Sequence, residues 1–114
     1  MRLDISLKNM ERTPLLDNVI EKNIAKVERR LKIFRSEEAI HLSLHLEKNP
    51  HREEYFCWIN MYLPFKVINV RSKLSSLTGV INDSFSALLK QMDKFKHRLE
   101  THLQKKIRFL TNMS

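Results

Sequence analysis

Apolar positions change their period along this chain, and each change marks an element. Leu3, Ile5 and Leu7 alternate with Arg2, Asp4 and Ser6, which predicts a strand over residues 3–8. Thr13-Pro14 then supplies an N-cap and a first helical residue. The helix that follows carries Leu16, Ile20, Ile24, Val27 and Leu31 on one stripe and ends at about 31–34. Period two returns over 40–47, where Ile40, Leu42, Leu44 and Leu46 alternate with His41, Ser43 and His45. A turn at Asn49-Pro50-His51 leads to a third strand at about 54–63. There Tyr55, Cys57, Ile59 and Met61 alternate with Phe56, Trp58, Asn60 and Tyr62. Pro64 marks a short connection to a fourth strand over 66–71. A second helix, capped by Ser75 or Ser76, places Leu77, Ile81, Phe85, Leu88, Met92, Phe95, Leu99 and Leu103 on one stripe.

The order is β-α-β-β-β-α, an α+β fold. Three strands at hairpin spacing predict an antiparallel meander, and the first strand must join the same sheet. Each helix has one apolar stripe, so both pack on one face of a four-stranded sheet. The other face then carries His41, His45, Phe56, Trp58 and Tyr62. For Phe56 and Trp58, a covered second core is preferred over an open stacking surface. Length allows one domain, divided into a body at 1–103 and a basic extension of the last helix at 104–114. Lys106 falls on the apolar stripe of that helix, which suggests that its last turns leave the sheet.

The polar sides of the helices change the picture. Opposite the first apolar stripe lie Lys22, Lys26 and Arg29, with Glu21 and Glu28 off to one side. Opposite the second lie Lys90, Lys94, His97, Thr101, Lys105 and Arg108, with Asp93 and Glu100 on the flank. A helix that needs only solubility can mix its charges. Two helices that sort cations onto one strip fit a polyanion. Net charge is +8 and uneven: residues 1–65 hold 11 Lys/Arg against 10 Asp/Glu, and residues 66–114 hold 10 against 3. A solvated basic face without a partner is the competing reading, and the repetition on both helices argues against it.

Other chemistry finds little support. Gly79 is the single glycine, whereas phosphate-binding loops and dinucleotide fingerprints need several. His41 and His45 on one strand face are roughly 13 Å apart, too far to share a metal. Cys57 is the only cysteine, so no internal disulfide forms, and its inward strand position reads as a small buried hydrophobe. No base, nucleophile and oxyanion donor assemble, so a non-enzyme without cofactor or small-molecule substrate is expected. Asp4 interrupts any signal-like apolar run, and no segment reaches membrane-span length. These features predict a cytoplasmic protein, monomeric off its target.

Four stretches resemble a known family. Lys8-Asn9-Met10-Glu11-Arg12-Thr13-Pro14 and Ala25-Lys26-Val27-Glu28-Arg29 are similar to the opening of the ribosome hibernation-promoting factors. That family includes ribosome-associated inhibitor A and the sigma-factor modulation proteins. Ile81-Asn82-Asp83 and Lys90-Gln91-Met92-Asp93-Lys94-Phe95-Lys96-His97 resemble its second helix. The likeness spans about residues 1–100. It implies a double-stranded-RNA-binding-domain-like fold that docks in the decoding region of the small ribosomal subunit and silences idle ribosomes. Contacts to ribosomal RNA would come from basic side chains of both helices, Lys26 and Arg29 in the first and Lys90 and Lys94 in the second. Asn23 stands where relatives can carry a base, so one contact is missing here. Ser76-Leu77-Thr78 replaces a usual Asp-Met-Tyr, and Ala87 replaces a frequent basic residue. The chain is too short for the second, ribosome-pairing domain of long members, so a short form is expected. Two alternatives stay open: a general RNA-binding module without ribosome specificity, and a regulatory domain that binds a protein through Phe56, Trp58 and Tyr62.

Overall fold

The structure is a computed structural model that describes residues 1–31, 40–64 and 66–112, with side chains through residue 94. Its elements are β1 (Arg2–Lys8), α1 (Pro14–Leu31), β2 (His41–Lys48), β3 (Tyr55–Tyr62), β4 (Val67–Leu74) and α2 (Leu77–Asn112). The sheet order is β1-β2-β3-β4. β1 pairs parallel to β2, and β2, β3 and β4 form the antiparallel meander. A parallel pair cannot be joined by a hairpin, and α1 supplies the crossover.

Local chemistry sets the element ends. Asn9 turns the chain out of β1 with φ of 59°, a conformation asparagine tolerates, and its side chain donates to the Lys48 carbonyl. Thr13 caps α1: its Oγ1 accepts from the Leu16 N–H at 3.2 Å, while its carbonyl accepts from Asp17. Ser76, one of the two expected caps, accepts from the Gly79 N–H at 3.1 Å. A Cβ on Gly79 would stand 3.2 Å from the Ser76 Cβ, so the cap crowds that position. β4 runs three residues beyond the expected end at 71, because Ser72, Lys73 and Leu74 keep pairing with Cys57, Phe56 and Tyr55. The expectation that α1 reaches residue 34 lies, past Leu31, outside the described residues.

Both helices cover one face, as each single stripe requires. Leu42, Leu44, Leu46, Cys57, Ile59, Met61, Ile68 and Val70 point into a core closed by Leu16, Ile20, Ile24, Val27, Leu31, Ile81, Phe85, Leu88 and Met92. Val80 and Ser84 are buried beside that stripe, so the apolar sector of α2 is wider than its sequence pattern indicates. α2 lies over β3 and β4 and packs against α1. α1 lies toward β1, where Leu3 and Ile5 share a groove with Ile20, Ile24, Glu21 and Glu28.

α2 is one continuous helix of 36 residues, about 54 Å at the usual rise. Residues 104–112 therefore prolong the same helix. Whether Lys106 leaves the body concerns a side chain outside those described.

Candidate nucleic-acid interface

Two polar contacts join the helices. Asn23, buried among the apolar positions of α1, donates from Nδ2 to Asn82 Oδ1 of α2 at 2.9 Å. Seven residues on, Arg30 pairs with Asp93. The contacts advance together along both helices, so α1 and α2 run in the same direction. Their outward sides border a groove of about 470 Å³, lined by Lys22, Lys26 and Arg29 on one side and by Thr78 and Asn82 on the other.

Charges across the described residues are sorted by pairing as well as by position. Among the described residues, Asp17 is taken by Arg12, Glu47 by Lys8, Glu54 by Lys73, and Asp93 by Arg30. Asp4 lies against Arg2 and His41, and Asp83 accepts from Ser72 at 2.5 Å. Glu21 and Glu28 line the separate groove toward β1. Lys22, Lys26, Arg29, Lys90 and Lys94 are exposed, and none has an acidic partner among the described residues. Arg29 only turns back on its own helix, its Nε 3.4 Å from the Ala25 carbonyl. Unpaired cations keep their charge available for phosphates, whereas paired ones must first give up a partner.

Three of the sequence-predicted residues thus meet at one groove. Lys90 and Lys94 lie farther along α2, exposed but outside its lining, with Asp93 between them turned toward Arg30. His97, Lys105 and Arg108 sit on the helical backbone of α2, and their side chains lie outside those described. Sequence reasoning missed Thr78 and Asn82 as groove walls and Arg30 as a bridge. The signal for the helix contact was Asn23, a polar residue inside an apolar sector.

Comparison with known proteins now bears on this geometry. The profile of the family described as Sigma 54 modulation protein / S30EA ribosomal protein matches residues 3–100. The chain belongs to this family. Comparison with curated proteins gives no match. Two solved structures share the fold. A ribosomal subunit interface protein from Coxiella burnetii superposes with a TM-score of 0.67 at 17% identity, over 85% of this chain and 99% of that one. The N-terminal domain of Protein Y from Thermus thermophilus superposes with a TM-score of 0.68 at 20% identity, over 83% and 99%.

All four motifs that carry the family resemblance fall inside the matched span of this S30EA-family chain. Asn23, where the resemblance implies a missing basic contact, has a structural role: its amide joins the two helices. Cys57 is fully buried beneath the helices, as its alternation indicates. Burial pushes its thiol up to about 11, partly offset by a hydrogen bond with Ser84. A thiol held neutral is a poor nucleophile. Among the described residues, no three His, Cys, Asp or Glu side chains group to hold a metal. No described helix is long and apolar enough to cross a membrane.

One expectation is overturned. Among the described residues, nothing covers Phe56 and Trp58 to make a second core. Both helices stand on the opposite face, and no described element lies over them. They are half-buried because the rings shield one another. His45 stacks on Trp58 at 5.0 Å, Trp58 lies parallel to Phe56 at 5.9 Å, and His41 stacks on Tyr62 at 5.3 Å.

Proposed function

We propose that this S30EA-family protein is a ribosome hibernation factor acting in the cytoplasm. It docks on ribosomal RNA of the small subunit near the decoding region and blocks translation by occupying that space, without catalysis. The observation that carries this reading is the set of five exposed helix cations, Lys22, Lys26, Arg29, Lys90 and Lys94, without acidic partners among the described residues, with Asp93, the acid between Lys90 and Lys94, turned to Arg30. Family membership and the fold shared with a subunit interface protein support it.

Phosphate oxygens enter the groove between the helices, where Lys22, Lys26 and Arg29 neutralise them and the Thr78 hydroxyl and Asn82 amide provide neutral hydrogen bonds. Lys90 and Lys94 extend the contact along α2. His97, Lys105 and Arg108 carry it onto the extension at 104–114, which gains its support from the ribosome and not from the sheet. A helix that reads charge and shape in this way has no need of base-specific contacts.

Co-sedimentation with purified ribosomal subunits tests the reading. The protein should travel with small subunits at low salt and be released as salt rises. Lys22→Glu with Lys26→Glu should abolish the association. Equal binding to both subunits, or to any RNA of similar length, would replace this reading with that of a general RNA-binding module.

A further inference from the structure

The open face of the sheet has its own chemistry, separate from the helix groove. Strand register places Ser6, His45, Trp58 and Arg71 in one row across all four strands, and Asp4, Ser43, Asn60 and Asn69 in the next. Within the first row the side chains are linked. Ser6 Oγ lies 2.6 Å from His45 Nδ1, and the His45 ring stacks on Trp58. The Trp58 ring is thereby held from the β2 side, and from along its own strand by Phe56.

The β4 side of Trp58 is unfilled. There Trp58, Asn60 and Arg71 line a notch of about 180 Å³. Arg71 has no acidic partner among the described residues, whereas the next cation on that strand, Lys73, is tied to Glu54 and lies over Phe56. The Asn60 amide likewise has no side-chain partner among the described residues. The notch therefore presents a fixed aromatic face, an amide able both to donate and to accept, and an unpaired guanidinium. The row beside Trp58 is polar: Asp4, Ser43, Asn60 and Asn69. A nucleotide matches each group: its base stacks on the ring, its edge meets the amide, and its phosphate meets the guanidinium.

We propose that this face is a second RNA-binding surface, which takes an unpaired nucleotide of single-stranded RNA on Trp58, with Asn60 and Arg71 as its polar contacts. Tyr62, exposed on the same face of β3, offers a further stacking position along the strand. Duplex RNA keeps its bases stacked inside the helix and cannot use this face.

Trp58 is the only tryptophan in the chain, so its fluorescence reports on the notch directly. The full chain is titrated with a uridine hexamer and an adenosine hexamer, with an RNA duplex as control. The hexamers should quench Trp58, and the duplex should bind without quenching. Asn60→Ala with Arg71→Ala should weaken hexamer binding about tenfold. Lys22→Glu with Lys26→Glu should leave the quench in place and weaken the duplex. With a labelled hexamer, Trp58→Ala should lose at least tenfold in affinity and Trp58→Phe should retain it, with circular dichroism verifying the fold of each. Hexamer binding without quenching, or quenching insensitive to Asn60 and Arg71, overturns the proposal. If the quench fails while co-sedimentation with small subunits persists, only the sheet-face inference falls.

Discussion

The Asn23 amide donates one proton to Asn82 Oδ1 and the other to the Val19 carbonyl, each at 2.9 Å. Both donors are thus consumed inside the protein, at the point where α1 and α2 meet under the groove. Holding the helices in register there keeps Lys22, Lys26 and Arg29 opposite Thr78 and Asn82. Removing either partner carries a cost of different origin. Asn23→Ala loses two hydrogen bonds, and Asn82→Ala leaves a buried N–H unpaired, so each should cost about 1–2 kcal/mol. A double-mutant cycle by urea unfolding should give a coupling of about 1 kcal/mol. A coupling near zero would mean that the contact does not fasten the helices.

Lys90 and Lys94 are exposed and have no acidic partner among the described residues, so changing them removes charge and little packing. The variant with both replaced by glutamate should keep its thermal midpoint and lose affinity for small subunits. Each phosphate contact releases roughly one counterion, so the slope of log affinity against log salt should fall by about two. An unchanged slope would remove Lys90 and Lys94 from the interface.

The buried thiol gives a pH dependence. Folded Cys57 holds its proton to about 11, whereas the unfolded chain releases it near the ordinary value of 9.0. Between these values the unfolded state binds fewer protons, so stability falls as pH rises through that window and is unaffected below it. Relative to Cys57→Ala, the wild-type protein should lose about 1 kcal/mol between pH 8 and pH 10 in denaturant titrations. Thiol reagents should modify the native protein only as fast as it opens. Rapid native labelling at neutral pH would contradict the burial.

The last turns of α2 extend the helix past the region matched by the family, which ends at residue 100. On the proposed reading their support comes from the ribosome. Truncation after Leu103 should therefore leave the thermal midpoint nearly unchanged and weaken small-subunit binding by a modest factor. Unfolding on truncation would show instead that the apolar spacing through Leu110 serves the core.

Much of this architecture is legible in the sequence, because one-sided burial imposes period. The alternation at Leu42, Leu44 and Leu46 and the stripe from Leu16 to Leu31 each have one solution: a sheet with helices on one face. Pairing of charges is not legible in this way. Asp93 reads as a flanking acid near Lys90 and Lys94, and only the approach of α1 brings it to Arg30. At Asn23 the sequence shows a polar residue in an apolar sector, and only the fold brings Asn82 opposite it. For Phe56 and Trp58, alternation fixes the face but not whether another layer covers it. With both helices committed to one side, their shelter comes from His45 and from each other.

The central claim is that the outward cations of α1 and α2 seat this protein on small-subunit RNA at the decoding region. Chemical footprinting on purified small subunits, with wild-type protein and with the Lys22→Glu, Lys26→Glu variant, tests it most directly. The predicted result is protection of decoding-region nucleotides by the wild type and loss of that protection in the variant. Protection confined to other parts of the subunit, or protection that survives the loss of Lys22 and Lys26, would contradict it.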